Sequence, residues 1–318
     1  EYRKYFFRYA SEFGFQSFPS VKTLETVTDD PKELNPFSYV MEKHQRNYGG
    51  NGKIAKYMQA AYRYPENFSD FVYVSQLLQA DGIRYGVEHY RRNRGRCMGA
   101  IYWQLNDCWP VISWSSIDYY GRWKALHYYA KRFFAPVMLS CEEQSWMTVE
   151  ADMNRQHFEF EKSIRLNVTN ETLDAHRVLV KWAVRKTDAT ILREEEQWLE
   201  VPALSAVWMD KVELPQIDCF NEYVSYEAWE NDQIISQGTV IFSYPKYFHY
   251  LNPGLAVRVD GDEIVVKAEA YAKSVEIRNE NDDLILEDNY FDINAGEYRV
   301  KILDGKPDGL KVRSVYDI

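Results

Sequence analysis

The sequence predicts an α/β segment followed by two all-β domains. Strand and helix signals alternate up to about residue 136, period-two strands dominate from about residue 137, and Tyr244-Pro245-Lys246 breaks the strand-rich part in two. The expected domains are therefore 1–136, 137–245 and 246–318: an α/β part, an immunoglobulin-like β-sandwich and a smaller C-terminal sandwich.

In the first part, Arg8 to Phe13 reads as a short buried strand. A breaker-rich loop follows, with Pro19, Asp29-Asp30-Pro31, Asn35-Pro36 and Gly49-Gly50-Asn51-Gly52. Ile54 to Tyr64 reads as a helix, and Phe68 to Arg92 as a longer one with Phe71, Val74, Leu78 and Tyr85 on one face. Met98 to Trp103 is an apolar strand, and Arg122 to Phe134 closes the second unit as a helix that Pro136 ends. Strand-helix-strand-helix order implies parallel strands with helical crossovers. Two such units cannot close a barrel, which needs eight strands and about 250 residues. The rest of the barrel is therefore absent from this chain or supplied by another.

The second part shows alternating β-branched strands over Ser163 to Val168, Val178 to Arg185, Glu222 to Glu230 and Gln237 to Phe242. The third repeats the style over Ala256 to Val259, Glu263 to Ala268, Ser274 to Arg278 and Gly296 to Ile302.

Composition limits the function classes. The chain has 318 residues and a formal charge of −10, so no basic surface marks a nucleic-acid partner. The one dense cationic run, Arg91-Arg92-Asn93-Arg94-Gly95-Arg96, reads as a helix end, where cations suit the dipole. No apolar run approaches the roughly 20 residues that span a bilayer, so no membrane partner is expected. Cys97, Cys108, Cys141 and Cys219 have neither metal-ligand nor disulfide-scaffold spacing. Free thiols make the cytoplasm the expected compartment, with periplasm and lysosome as alternatives. His44, His89, His127, His157, His176 and His249 form no zinc-ligand set, and no metal or organic cofactor is expected. His44, in the long loop, is a further candidate for sugar contact.

Two segments carry chemistry. Glu12 ends the first strand, with Gly14 after Phe13, where barrel enzymes place catalytic groups. A retaining glycosidase needs two carboxyl groups about 5–5.5 Å apart, one of them an ionised nucleophile on a rigid element. Trp103 ends the next strand and opens on the same face, where an indole can floor a sugar. Gln104, Asn106 and Asp107 follow it, as groups able to bind hydroxyls or to satisfy local backbone.

These segments carry a family resemblance. Ser11-Glu12-Phe13-Gly14-Phe15-Gln16-Ser17-Phe18-Pro19-Ser20 resembles the nucleophile segment of the β-mannosidases of glycoside hydrolase family 2. The run from Gly99-Ala100-Ile101-Tyr102-Trp103 through Asn106-Asp107-Cys108-Trp109-Pro110 to Asp118 resembles their eighth-strand segment, and continues through Gly121-Arg122-Trp123-Lys124-Ala125-Leu126-His127-Tyr128. Asp288-Asn289-Tyr290-Phe291-Asp292 resembles their terminal sandwich.

The resemblance implies a partial (β/α)8 barrel, strands seven and eight, followed by two immunoglobulin-like sandwiches. It makes Glu12 the nucleophile and Trp103 the floor of subsite −1, with a cis Trp103–Gln104 peptide; Asn106 and Asp107, from their residue types, are the expected further substrate contacts. In that family the acid/base is the Glu of an Asn-Glu pair upstream of the nucleophile. The pairs here, Asn170-Glu171, Asn221-Glu222 and Asn279-Glu280, all lie in the sandwich parts. The expectation is therefore the C-terminal part of an enzyme acting on terminal β-D-mannose of an oligosaccharide. By itself it would be inactive, and the enzyme's N-terminal portion would be its partner. The alternatives are another family 2 exo-glycosidase, a β-glucosaminidase or β-galactosidase, or a non-catalytic carbohydrate-binding module.

Overall fold

The computed structural model describes residues 2–149 and 159–318. The first strand, β1 (Ala10–Phe13), leads into a segment with short helices α1 (Val21–Leu24) and α2 (Tyr39–Lys43). Longer helices α3 (Gly50–Ala61) and α4 (Phe68–Arg92) follow, then β2 (Ala100–Tyr102) and α5 (Ala125–Phe133). β1 and β2 form a two-stranded sheet. Helix α4 has the bounds that periodicity predicts, and buries Phe71, Val74, Leu77, Ile83 and Val87. The predicted start of α3 at Ile54 is late: the helix begins at Gly50, because Gly49 takes a left-handed φ of 65° that turns the chain into it.

The strands from residue 137 onward are β3 (Val137–Gln144), β4 (Ser163–Asn170), β5 (His176–Lys186), β6 (Ile191–Val201), β7 (Ser205–Trp208), β8 (Val212–Glu213), β9 (Glu222–Glu230) and β10 (Gln233–Ile241). They make one sheet in the order β10-β9-β5-β6 and another in the order β3-β4-β7, with β8 also on β4. The pairings β10–β9, β9–β5, β5–β6, β3–β4, β4–β7 and β4–β8 are antiparallel. Alternation decides what goes inside: Val178, Val180, Trp182 and Val184 of β5 meet Leu139, Cys141, Ile164 and Leu166 from the other sheet in one apolar core.

Strand β6 escaped the sequence reading. Its Glu194-Glu195-Glu196 run looks solvated, and it is: β6 is an edge strand that buries only Leu199 and Val201. Charges on an edge strand also discourage pairing with a second molecule.

The last part holds β11 (Ala256–Asp260), β12 (Glu263–Ala268), β13 (Ala272–Arg278), β14 (Ile285–Leu286), β15 (Phe291–Ile293), β16 (Gly296–Asp304) and β17 (Lys311–Arg313). Their sheet orders are β11-β12-β16-β14 and β15-β13-β17. The architecture is thus a mixed helix-strand part followed by strand sheets, as the sequence predicts.

Contacts divide the chain into two compact units. One takes the residues up to Ala10, Gly86–Ala100 and Arg132–Leu251; the other takes Ser11–Tyr85, Ile101–Lys131 and Asn252–Ile318. The C-terminal sandwich therefore shares a unit with Glu12 and Trp103. Among the described residues no helix is long and apolar enough to cross a membrane.

Candidate functional site

The site is built where the two short strands end. The amide of Trp103 donates to the carbonyl of Phe13 at 2.8 Å, so the residues after Glu12 and the indole of Trp103 start from one paired backbone. Glu12 is exposed, and its carboxylate has no hydrogen-bond partner among the described residues. Trp103 is 47% exposed, a large apolar surface left open on a strand end. The peptide between Trp103 and Gln104 is cis. Gly14 fits where no side chain would: a Cβ there would stand 2.5 Å from the carbonyl oxygen of Trp103.

Buried polar side chains hold the chain after Glu12. Helix α4 supplies three, Ser75, Gln76 and Gln79, spaced to share one face. The Gln79 amide donates to Phe15 O at 2.8 Å and Trp114 O at 3.0 Å, and its oxygen accepts from the Ser17 hydroxyl at 2.7 Å. Ser75 accepts from the Phe18 amide at 3.1 Å, and Gln76 donates to Phe18 O at 3.1 Å. Between segments, Ser17 N donates to Ser113 O at 3.0 Å. These buried backbone groups need partners, and α4 provides them.

The loop after Trp103 is folded around Asp107. Its carboxylate accepts from the hydroxyls of Ser113 at 2.7 Å and Ser115 at 2.6 Å, and from the Gln104 amide at 3.2 Å. It is 9% exposed, so it braces the loop instead of facing outward. The reading of Asp107 as a sugar contact therefore gives way to a bracing role, for this physical reason. Asn106 is exposed, and its side chain has no partner among the described residues. Asp118 is engaged too: it accepts from Thr23 at 2.5 Å and from the amides of Tyr120 at 2.9 Å and Arg122 at 3.0 Å.

His44 donates from Nδ1 to Pro110 O at 2.6 Å and stacks on Trp109 at 4.9 Å, so one face and one nitrogen are occupied. Burial lowers the pKa of His127, which approaches Ser116 at 3.2 Å inside the fold. His157 lies outside the described residues. Among the described residues no group of His, Cys, Asp and Glu is arranged to hold a metal ion.

Sequence reasoning missed Gln76, Gln79 and Lys124. The glutamines lie three residues apart in helix α4, where polar residues usually mean solvent.

Residues 162–247 match the "Mannosidase Ig/CBM-like domain" and residues 250–318 the "Ig-fold domain". β-Mannosidase B of Thermothelomyces thermophilus is 30% identical over 97% of this chain and 39% of its own length. β-Mannosidase of Capra hircus is 39% identical over 41% of this chain and 16% of its own. The chain thus spans well under half the length of these curated relatives. The crystal structure of a β-D-mannosidase from Dictyoglomus thermophilum superposes with a TM-score of 0.83 at 26% identity, over 98% of this chain and 38% of the other. An exo-chitosanase from Amycolatopsis orientalis shares the fold at a TM-score of 0.64 and 16% identity, over 96% of this chain and 42% of the other.

Proposed function

The chain is a homologue of the β-mannosidases over the C-terminal part of their length, and we propose that it is the corresponding part of a retaining exo-β-mannosidase. In this reading β1 and β2 are the seventh and eighth strands of a (β/α)8 barrel. Glu12 attacks the anomeric carbon of a terminal β-D-mannose. A carboxylic acid from the remainder of the barrel protonates the leaving oxygen and then activates water.

The observation that best supports this is the shared strand end: an exposed, unpartnered carboxylate at Glu12, beside a half-open Trp103 whose backbone amide donates to Phe13 O at 2.8 Å. The neighbouring carboxylates, Asp107 and Asp118, have their oxygens engaged, so neither is free to act as the acid/base. In this reading the second carboxyl comes from the remainder of the barrel, and the chain by itself turns over no substrate. Asn106, exposed and unpartnered, meets a sugar hydroxyl in this reading. Asp107 positions the loop that carries it.

Turnover of a panel of nitrophenyl β-glycosides by the longer enzyme tests the reading. β-Mannoside is expected to be hydrolysed fastest, with the product first released as the β-anomer. Glu12→Gln is expected to lower kcat on the order of 10³-fold or more. Faster turnover of a glucosaminide or galactoside would overturn the sugar assignment. An active Glu12→Gln enzyme would overturn the nucleophile.

A further inference from the structure

We propose that Lys124 is a positioning residue for this site, its buried ammonium clamping the chain after Glu12 to the chain after Trp103. The proposal rests on the assignment of Glu12 and Trp103 given above.

Lys124 precedes helix α5 and is 1% exposed, which is rare for a lysine. Its Nζ lies 3.3 Å from the carbonyl of Ser17 and 3.5 Å from that of Ser113. These two residues already pair through the Ser17 amide, so the ammonium closes a second link over the same junction. The backbone of Lys124 is itself fixed, because its amide donates to Ser116 O at 2.9 Å. The lysine therefore cannot follow one segment without pulling on the other.

A neutral side chain would not do the same work. Burial pushes the ammonium pKa down to about 8, against the pull of Asp107 and Asp118. Both carboxylates belong to the loop that the lysine holds. Asp107 is tied to Ser113 and Ser115, so ammonium, Asp107 and the Ser113 carbonyl form one connected unit. Removing the charge takes away the cation whose field reaches both carboxylates and leaves two carbonyls short of a donor. Ser17 is five residues beyond Glu12 and Ser113 ten beyond Trp103. Slippage between them shifts the carboxylate against the indole, and a shift of about 1 Å costs on the order of 10²-fold in rate.

The test uses Lys124→Met and Lys124→Gln in the longer enzyme, with steady-state kinetics and amide hydrogen exchange. The expected result for Lys124→Met is a kcat lowered ten- to hundredfold with KM within twofold of wild type. Exchange should speed up at least tenfold in peptides covering Phe15–Phe18 and Ser113–Ser116, and stay unchanged in β5 and β9. Lys124→Gln keeps donors but not charge, and should show a smaller loss in both readouts. It also carries the test if Lys124→Met does not fold. Wild-type kcat and exchange in Lys124→Gln would overturn the proposal. So would a loss in KM alone, or faster exchange spread evenly over the protein. Failure of the enzyme assignment is separable: the wild-type enzyme would then leave β-mannoside untouched, while exchange would still report the clamp.

Discussion

A Cβ on Gly14 would stand 2.5 Å from the carbonyl oxygen of Trp103 and 2.9 Å from Cδ1 of Trp114. The first obstacle is backbone, so it cannot rotate away. Gly14→Ala is expected to destabilise the chain by about 1–3 kcal/mol, the usual cost of forcing extra volume into a packed site. In the longer enzyme kcat should fall on the order of 10²-fold, because Trp103 itself must move. Urea denaturation and steady-state kinetics check the two effects. Gly52 is the control, since nothing lies within 4 Å of a Cβ there.

Gln79 holds Phe15 O, Trp114 O and the Ser17 hydroxyl at once, with Ser115 O a further acceptor at 3.4 Å. Gln79→Leu fills the space but satisfies none of them. Each abandoned buried group costs about 1–3 kcal/mol, so a loss of about 3 kcal/mol or more in unfolding free energy is expected. The mid-point of a denaturant titration would show it. A shift within experimental scatter would mean that water replaces the amide.

Arg313 is paired inside the unit that combines residues 11–85 with 252–318. It bonds Glu276, lies 2.8 Å from Asp70 and sits 4.4 Å over the ring of Tyr73. Glu276 is 6% exposed and also accepts from the Tyr290 hydroxyl at 2.8 Å. Arg313→Met strands that carboxylate, and breaking such a pair from one side costs about 3–5 kcal/mol. The double variant Arg313→Met with Glu276→Gln should recover a large share of the loss. Thermal melts of the three variants and wild type complete the cycle.

Asp282 predicts a pH dependence. Burial raises its carboxyl pKa above the ordinary 3.8, against the Ser20 hydroxyl and Arg278. The folded state therefore holds this proton more tightly than the unfolded chain. Stability is favoured below 3.8 and falls as pH rises through the raised value, so the cost is fully present at neutral pH. Asp282→Asn keeps an acceptor for Ser20 and tolerates the left-handed φ of 51°. It should melt higher than wild type at pH 7, with the gain gone in acid. Equal melting temperatures at both pH values would refute the shift.

The elements whose burial follows a period were legible in the sequence. Helix α4 and strand β9 have the bounds that the apolar pattern marks, since a packed face leaves a regular trace. Strand β6 left none, because an edge strand can be exposed along almost its whole length. The site was legible in part. Glu12 and Trp103 stand out because their residue types suit sugar chemistry and fall at strand ends. Asp107 looked like a substrate contact because an aspartate in a loop says nothing about which way it faces; the serines six and eight residues on decide that. Lys124 and Gln79 were silent, since what defines them is the backbone of distant segments.

The sharing of one unit by residues 11–85 and 252–318 has a consequence for how the molecule is made. The hydroxyl of Tyr73 donates to the carbonyl of Ser274 at 2.7 Å, across 201 positions of chain. Gln76 likewise faces the Tyr290 hydroxyl at 3.4 Å. At about 5–20 residues per second, a ribosome needs roughly 10–40 s to travel that far. For that interval the helix that carries the site's supports exists without the sandwich that covers it. Completion of the site is thus a late event in translation, and slowing the ribosome over residues 252–318 would lengthen the time that this surface is open to chaperones and proteases.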